Sequence, residues 1–476
     1  MPDRAPDASS LGVRLVGDDL AAPCIDGRDR TYLSLDAAAS TSALPAVARR
    51  VADFLPRYSS VHRGAGWKSQ LATADYEDAR ASALAFAGKD DRSDGGEAVA
   101  IICRNTTEAI NQLAYRLRLQ PDDTVVTTVV EHHANLLPWA RLARRRYVEC
   151  GADGTFGVDD VVAVLEDGPR PRLLAVTGAS NVTGWLPPVA DIVAAAHERG
   201  VPVLVDAAQV AAHRPLPGEA DYLAWSGHKM YAPYGGGVLI GPRATFETGD
   251  PFLAGGGAVD LVDLDEVVWT DPPEREEAGS PNVVGAVALH AAIDELGRIG
   301  WPAIVAHDDA MARLLREGLA AIDGVRVLGP SAERAAVAGG GTLPVAAFVV
   351  DGVHHALVAA RLSAEHAIGV RHGCFCAHPY LLRLLGLGAG EVAEFRSAVL
   401  RGDRRDIPGA VRASAGLSTT AADIDRFLAA VADIAGGDGP PVPYDQDPDT
   451  GDFWPRTTEA AWSAADHRPG TSCARG

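Results

Sequence analysis

Residues 221–240 read Asp-Tyr-Leu-Ala-Trp-Ser-Gly-His-Lys-Met-Tyr-Ala-Pro-Tyr-Gly-Gly-Gly-Val-Leu-Ile. An apolar run ends at Trp225, the turn Ser226-Gly227-His228-Lys229 follows, and a glycine-rich strand begins at Gly235. A lysine held between two buried strands loses solvation, which lowers its pKa and makes its amine nucleophilic toward an aldehyde. Taken alone, the pattern fits a surface lysine equally well.

The lysine content limits which residues could form a covalent bond through an amine, because only three of the 43 basic residues are lysines: Lys68, Lys89 and Lys229. Any covalent lysine chemistry therefore has three candidates. The formal net charge of −20 argues against a nucleic-acid partner, since such binding depends on clustered cations.

Outward from this turn, residues 70–300 alternate short apolar runs with amphipathic stretches. This alternation predicts an α/β fold with a mostly parallel sheet, which places polar residues and ligands at the carboxyl ends of its strands. Beyond residue 300 the pattern predicts a smaller α+β domain. The expected strands are 98–103, 173–176, 201–205 and 345–350, and the expected helices are 108–117, 189–197, 303–322, 355–366 and 421–434.

We expect four segments along the chain: an N-terminal arm (1–30), a large domain (31–298), a small C-terminal domain (299–435) and a flexible tail (436–476), which is rich in Gly, Pro, Asp and Thr. The polar N-terminus and the lack of a long apolar run predict a cytoplasmic protein without a membrane segment. Six cysteines are too few for a disulfide framework in a chain of this length, and four of them stand singly, which suits a reducing compartment.

Polar residues follow several of the predicted strands. Asp206 ends one strand, where its carboxylate suits either pairing with a protonated pyridine nitrogen or capping a helix. Asn105-Thr106-Thr107-Glu108 opens a helix, and Glu108 is placed to close a capping box. The free amides of such a helix end bind phosphate, although most capping boxes bind nothing.

Two further strings carry reactive side chains. In Glu131-His132-His133-Ala134-Asn135, one imidazole is placed to stack on an aromatic cofactor or to donate a proton, which makes His132 a catalytic candidate. A structural role fits His133 better than His132, and the spacing argues against a metal. In Cys374-Phe375-Cys376, the positive charge of nearby arginines would favour ionisation of a cysteine thiol to the reactive thiolate. The alternative is that both cysteines are buried and unreactive.

The order and spacing of nine strings together resemble the cysteine desulfurases of the class V aminotransferase group, over residues 32–434. Selenocysteine lyases and molybdenum-cofactor sulfurases are similar relatives. The strings are Leu-Asp-Ala-Ala-Ala-Ser (35–40), Val-His-Arg-Gly (61–64), Asn-Thr-Thr-Glu (105–108), Glu-His-His-Ala-Asn (131–135), Ser-Asn-Val-Thr-Gly (180–184), Asp-Ala-Ala-Gln (206–209), Ser-Gly-His-Lys (226–229), Ala-Gly-Ser-Pro-Asn (278–282) and Arg-Ala-Ser (412–414).

This resemblance implies a pyridoxal-phosphate (PLP) enzyme of fold type I, with a seven-stranded large-domain sheet and a homodimer with shared sites. Lys229 would carry the cofactor as a Schiff base, His132 would stack on its ring, Asp206 would pair with the ring nitrogen and Gln209 would bond the phenolic oxygen. The implied phosphate contacts are Thr106, Thr107, Ser226, His228 and, from the neighbouring subunit, Ser280. The implied contacts to the substrate carboxylate are Asn181, Arg371 and Arg412.

Cys376 matches the position of the family's persulfide-forming cysteine. The string Cys374-Phe375-Cys376 departs from the histidines common there and looks more like the molybdenum-cofactor sulfurase branch. We therefore expect conversion of L-cysteine to L-alanine, with sulfur passing to Cys376 and then to an acceptor protein. The alternatives are another class V reaction (C–S lyase, selenocysteine lyase, aminotransferase or epimerase) and a non-catalytic binding protein on the same fold. The residues leave open which of the two cysteines is the more reactive.

Overall fold

The computed structural model describes residues 11–89, 97–437 and 439–456. Its N-terminal segment contains an antiparallel pair, β1 (Ala21–Pro23) and β2 (Asp29–Thr31), followed by β3 (Leu33–Ser34). Because β3 pairs with a strand near residue 368, this segment contacts the C-terminal half of the chain. Asp36 follows β3 directly.

Seven strands form the main sheet, in the order β4-β10-β9-β8-β7-β5-β6. The pairs from β9 through to β6 are parallel, and β10 runs antiparallel to both of its neighbours. This confirms the predicted mostly parallel sheet of seven strands. The strands are β4 (Ala98–Cys103), β5 (Thr124–Thr128), β6 (Arg144–Val148), β7 (Leu173–Thr177), β8 (Val203–Asp206), β9 (Tyr222–Ser226) and β10 (Gly237–Pro242).

Helices cover both faces of this sheet. Alternate residues of β4 enter different apolar clusters, Ile102 with Val47 and Tyr76 on one face and Ile101 with Leu113 on the other. Burial of both faces explains why its strands read as continuous apolar runs. The helices are α1 (Pro45–Phe54), α2 (Trp67–Phe86), α3 (Thr106–Arg116), α4 (Leu137–Leu142), α5 (Val158–Glu166), α6 (Val189–His197), α7 (Arg243–Phe246) and α8 (Val283–Ile299).

A two-stranded ribbon, β11 (Val259–Val262) with β12 (Val267–Trp269), leaves the large domain before α8. After Gly300, an antiparallel sheet in the order β13-β14-β17-β16 and its helices form the second layer. The elements are α9 (Trp301–Ala320), β13 (Val325–Val327), α10 (Ala332–Val337), β14 (Val345–Val350), α11 (His355–His366), β15 (Ile368–Gly369), β16 (Arg371–Gly373), α12 (His378–Leu385), α13 (Ala389–Leu400), β17 (Ala410–Ser414) and α14 (Ala421–Ala435).

Part of the segment expected to be a flexible tail forms a hairpin instead. Strand β18 (Tyr444–Gln446) pairs with β19 (Phe453–Pro455), and Phe453 packs against His354, the N-cap of α11, at 5.5 Å between ring centroids. Residues 457–476 lie outside the described part. Among the described helices, none is long and apolar enough to cross a membrane.

Candidate active site

A cavity of about 300 Å³ lies at the carboxyl ends of the main-sheet strands, where the small domain meets the large one. It brings together all of the predicted site residues except Ser280, which is exposed elsewhere on the chain. The predicted residues that line it are Thr106, Thr107, His132, Asn181, Asp206, Gln209, Ser226, His228, Lys229, Arg371, Cys376 and Arg412. The contact predicted for Ser280 with a neighbouring subunit stays a prediction.

Lys229 and Asp206 are two ionisable residues that line this cavity. Burial lowers the pKa of Lys229 to about 8, with the Asp206 carboxylate acting against the shift. Burial raises the pKa of Asp206, against the Ala208 amide that donates to its Oδ1 at 3.0 Å and the charge of Lys229. A lysine of lowered pKa beside a buried carboxylate suits nucleophilic amine chemistry.

The amino end of α3 forms one wall. The Thr106 amide donates to the Ser226 hydroxyl at 2.8 Å, and the two hydroxyls are 2.7 Å apart. Asn105 caps the helix by accepting the Glu108 amide at 3.0 Å. The predicted capping box is wrong in one detail, because the Glu108 carboxylate accepts the amide of Arg104 instead of that of Asn105. This helix end presents amides and hydroxyls to an anion.

Neutral and polar groups complete this end of the cavity. His132 Nδ1 accepts the Ala134 amide at 3.0 Å, and burial, reinforced by Lys229, lowers the pKa of this imidazole to about 3. His132 is therefore neutral at physiological pH. Gln209 Nε2 donates to the carbonyl of Ala38 at 2.8 Å.

Asp36 is a functional residue that sequence reasoning missed. Its Oδ1 accepts from Arg412 Nη2 at 3.1 Å, and its Oδ2 lies 3.0 Å from Arg371 Nη2. Arg412, buried on β17, also donates to the carbonyl of Asn181 at 2.9 Å. Asp36 belongs to the string 35–40, but the alanines beside it give no indication that its carboxylate pairs with two arginines more than 300 residues away.

The cysteine loop has a constrained backbone. Phe375 and Cys376 both have φ of 54°, a left-handed conformation that non-glycine residues adopt rarely and at a cost. The Asn181 side chain donates to the carbonyl of Phe375, and the His133 amide donates to that of Cys376, both at 2.7 Å. The loop is therefore held at two consecutive carbonyls, those of Phe375 and Cys376.

The two cysteines of this loop differ in environment. Cys376 is exposed and lines the cavity, whereas Cys374 is half-buried against the large-domain core. Burial raises the pKa of the Cys374 thiol. His133, for which we expected a structural role, stacks on His378 at 5.1 Å beside the loop. Sequence spacing gave no sign of that contact.

Comparisons with known proteins identify the family of this chain. The family model "Aminotransferase class-V" matches residues 33–427. The chain belongs to the class V aminotransferase family. A cysteine desulfurase of Dickeya dadantii is 34% identical over 418 residues, covering 85% of this chain and 92% of the relative. A probable cysteine desulfurase of Halobacterium salinarum is 33% identical over 417 residues, covering 85% and 91%.

Two solved structures share the class V fold and are similar in sequence. A cysteine desulfurase from Thermococcus onnurineus superposes with a TM-score of 0.73 at 31% identity, covering 85% of this chain and 95% of that chain. An Escherichia coli cysteine desulfurase in an S-sulfonic acid form gives a TM-score of 0.69 at 32% identity, covering 85% and 94%. Both relatives therefore span the two domains.

The cavity fits PLP, the cofactor of class V aminotransferases. The amine of Lys229 makes no hydrogen bond with any residue that the structure describes, which leaves it available to an aldehyde. Asp206 is a buried carboxylate that would suit the ring nitrogen, and the amino end of α3, where Thr106 contacts Ser226, would suit the phosphate. Thr106, Thr107, Ser226 and His228 would hold the phosphate, and His132 and Gln209 would contact the ring.

Proposed function

We propose that this protein is a PLP-dependent cysteine desulfurase that converts L-cysteine to L-alanine and passes the sulfur to Cys376. The observation that carries the proposal is that one cavity joins a thiol, the candidate cofactor lysine and two arginines suited to a carboxylate. The desulfurase names of the relatives at 33–34% identity support the same reaction. Arg412 and Arg371 hold the substrate carboxylate, with Asn181 fixing the orientation of Arg412.

PLP, when bound, withdraws electrons from the substrate α-carbon. Burial lowers the pKa of Lys229 to about 8, and the amine accepts the α-proton in its neutral form. The Cys376 thiolate then attacks the substrate sulfur. The new S–S bond forms as the C–S bond breaks, the electron pair of that bond stays with the three-carbon fragment, and protonation of this fragment gives alanine.

We extend the proposal to the assembly and the sulfur acceptor. A homodimer with shared sites is supported by the exposure of Ser280 and of the apolar side chains Leu261 and Leu264 on the neighbouring ribbon. The exposure of Cys376 supports delivery of its persulfide to an acceptor protein at the cavity mouth. A cytoplasmic location is supported by the free thiols of all five cysteines that the structure describes.

The test is to incubate the PLP-loaded protein with L-cysteine and a reductant while assaying sulfide, alanine and pyruvate together. Sulfide matched by alanine, and lost in Cys376→Ala, is the expected result. Pyruvate in place of alanine identifies a C–S lyase, and activity that survives in Cys376→Ala removes the persulfide step. Absence of the visible absorption of a lysine-bound cofactor in protein supplied with PLP would favour the binding-protein alternative.

A further inference from the structure

The strand that carries Arg371 has little support from its own sheet. β16 is only three residues long and lies at the edge, paired on one side with β17 through Arg371 with Arg412 and His372 with Val411. The same strand leads directly into the loop that ends at Cys376. A short edge strand needs outside contacts to hold a fixed position.

His372 provides one such contact. Its Nε2 lies 3.2 Å from Asp452 Oδ1, in the turn between β18 and β19. Its ring faces His355 of α11 at 5.5 Å between centroids, and His355 Nε2 is in turn bonded to the carbonyl of Ile407 at 3.0 Å. Burial lowers the pKa of His372, with Asp452 acting against the shift, so a neutral imidazole donates to the carboxylate.

The hairpin is anchored independently of His372. Its turn packs closely against the loop that precedes β17. A Cβ added at Gly451 would lie only 2.6 Å from the carbonyl oxygen of Arg404, so this position has no room for a side chain. Its flanks bond to that loop and to α11. The bonds are Arg404 N to the Pro448 carbonyl (3.0 Å), Arg404 Nη1 to the Asp449 carbonyl (3.1 Å), Gln446 Nε2 to the Arg405 carbonyl (2.8 Å) and Tyr444 to the Glu365 carboxylate (2.9 Å).

We propose that Asp452 is a positioning residue for the active site: through His372 the C-terminal hairpin fixes β16, so that Arg371 faces the substrate carboxylate. The inference rests on the proposed function, because it gives Arg371 the carboxylate of the amino acid. The C-terminal hairpin, which lies outside the nine sequence strings that carry the family resemblance, thereby contributes to substrate affinity. Loss of the Asp452 carboxylate weakens recognition of that carboxylate and leaves the chemistry at Lys229 and Cys376 intact.

The test compares Asp452→Ala with Asp452→Glu and with the control Asp445→Ala, which removes an exposed carboxylate paired with Arg456 on the same hairpin. In the PLP-loaded protein, Asp452→Ala is expected to raise KM for L-cysteine about fivefold with kcat unchanged, as for the loss of one partly exposed hydrogen bond. The affinity for L-alanine, read from the absorbance of the cofactor, falls equally. The affinity for ethylamine, which lacks the carboxylate, stays unchanged.

The conservative variant Asp452→Glu and the control Asp445→Ala are expected to match the wild type in all three readouts. The inference is overturned if Asp452→Ala binds L-alanine as well as the wild type, or if its affinity for ethylamine falls by the same factor. Failure of the proposed function is distinguishable, because the wild type would then make no alanine from cysteine while binding of the two amines still reports on Asp452.

Discussion

Replacement of Arg412 by lysine tests how the site recognises a carboxylate. Arg412 is buried, and its two terminal nitrogens reach separate partners, the carbonyl of Asn181 at 2.9 Å and Asp36 Oδ1 at 3.1 Å. Its Nε has no protein partner within the described residues, and its guanidinium lies 5.1 Å above the ring of Phe375. Lysine keeps the positive charge but loses the planar fork that spans these groups.

The expected loss follows from the number of contacts that lysine fails to replace. A hydrogen bond to a charged group contributes about 1.5–3 kcal/mol, and about 1.4 kcal/mol corresponds to a tenfold change. Arg412→Lys is therefore expected to lower kcat/KM for L-cysteine about 10- to 100-fold, chiefly through KM. The assay is initial-rate alanine formation by the PLP-loaded protein over a range of cysteine concentrations.

The matched control is Arg298→Lys, which changes an exposed arginine paired with Glu295 at 2.6 Å and should leave the kinetics unchanged. Thermal unfolding checks that both variants fold. A KM for Arg412→Lys within about twofold of the wild type would refute the assignment of Arg412 to the carboxylate. A fall in kcat alone would place its contribution in the chemical step.

Three further predictions concern single residues. Cys374→Ser keeps alanine formation while Cys376→Ser loses it in the same assay, and equal loss in both would contradict the separation of the two thiols. Because the pKa of Lys229 is lowered to about 8 from about 10.4 in the unfolded chain, stability rises with pH between these values. Lys229→Met should therefore stabilise the cofactor-free protein by about 3 kcal/mol at pH 7 in a urea titration, a gain that shrinks above about pH 8 and should be absent from Lys68→Met. Arg80→Met leaves the buried Glu277, 2.6 Å away, without its cation, and should cost about 3–5 kcal/mol of unfolding free energy, whereas a cost under about 1 kcal/mol would contradict this.

Much of the fold follows from the sequence pattern. The predicted elements 98–103, 189–197, 345–350 and 355–366 coincide with β4, α6, β14 and α11. The two strands are continuous apolar runs, and the two helices each bury an apolar stripe. The periodicity of hydrophobic residues therefore predicts all four from the sequence.

Among the elements that escaped prediction, two did so for identifiable reasons. α2 buries Asp75 and Arg80 beside its apolar residues, and these two buried charged residues interrupt the amphipathic pattern. The hairpin of β18 and β19 has three-residue strands in a segment rich in Asp, Gly and Pro, so its order depends on partners such as Arg404 that lie far along the chain. Local periodicity carries no information about such partners.

In the candidate site, too, some features were predictable from the sequence and others were not. Residues at strand ends, such as Asp206 and Lys229, were predictable because a parallel sheet gathers its carboxyl ends at one edge. The bridge from Asp36 to Arg371 and the stacking of His133 on His378 were not, because each joins segments of different domains. Side-chain pairing across a domain boundary requires the three-dimensional structure.

In the proposed reaction, the sulfur of cysteine passes to Cys376. A single turnover of the PLP-loaded protein with L-cysteine in the absence of reductant, followed by peptide mass spectrometry, tests this transfer. We expect one additional sulfur atom on Cys376, in an amount equal to the alanine formed, with Cys374 unmodified. Alanine or pyruvate formed without any sulfur added to Cys376 would contradict it.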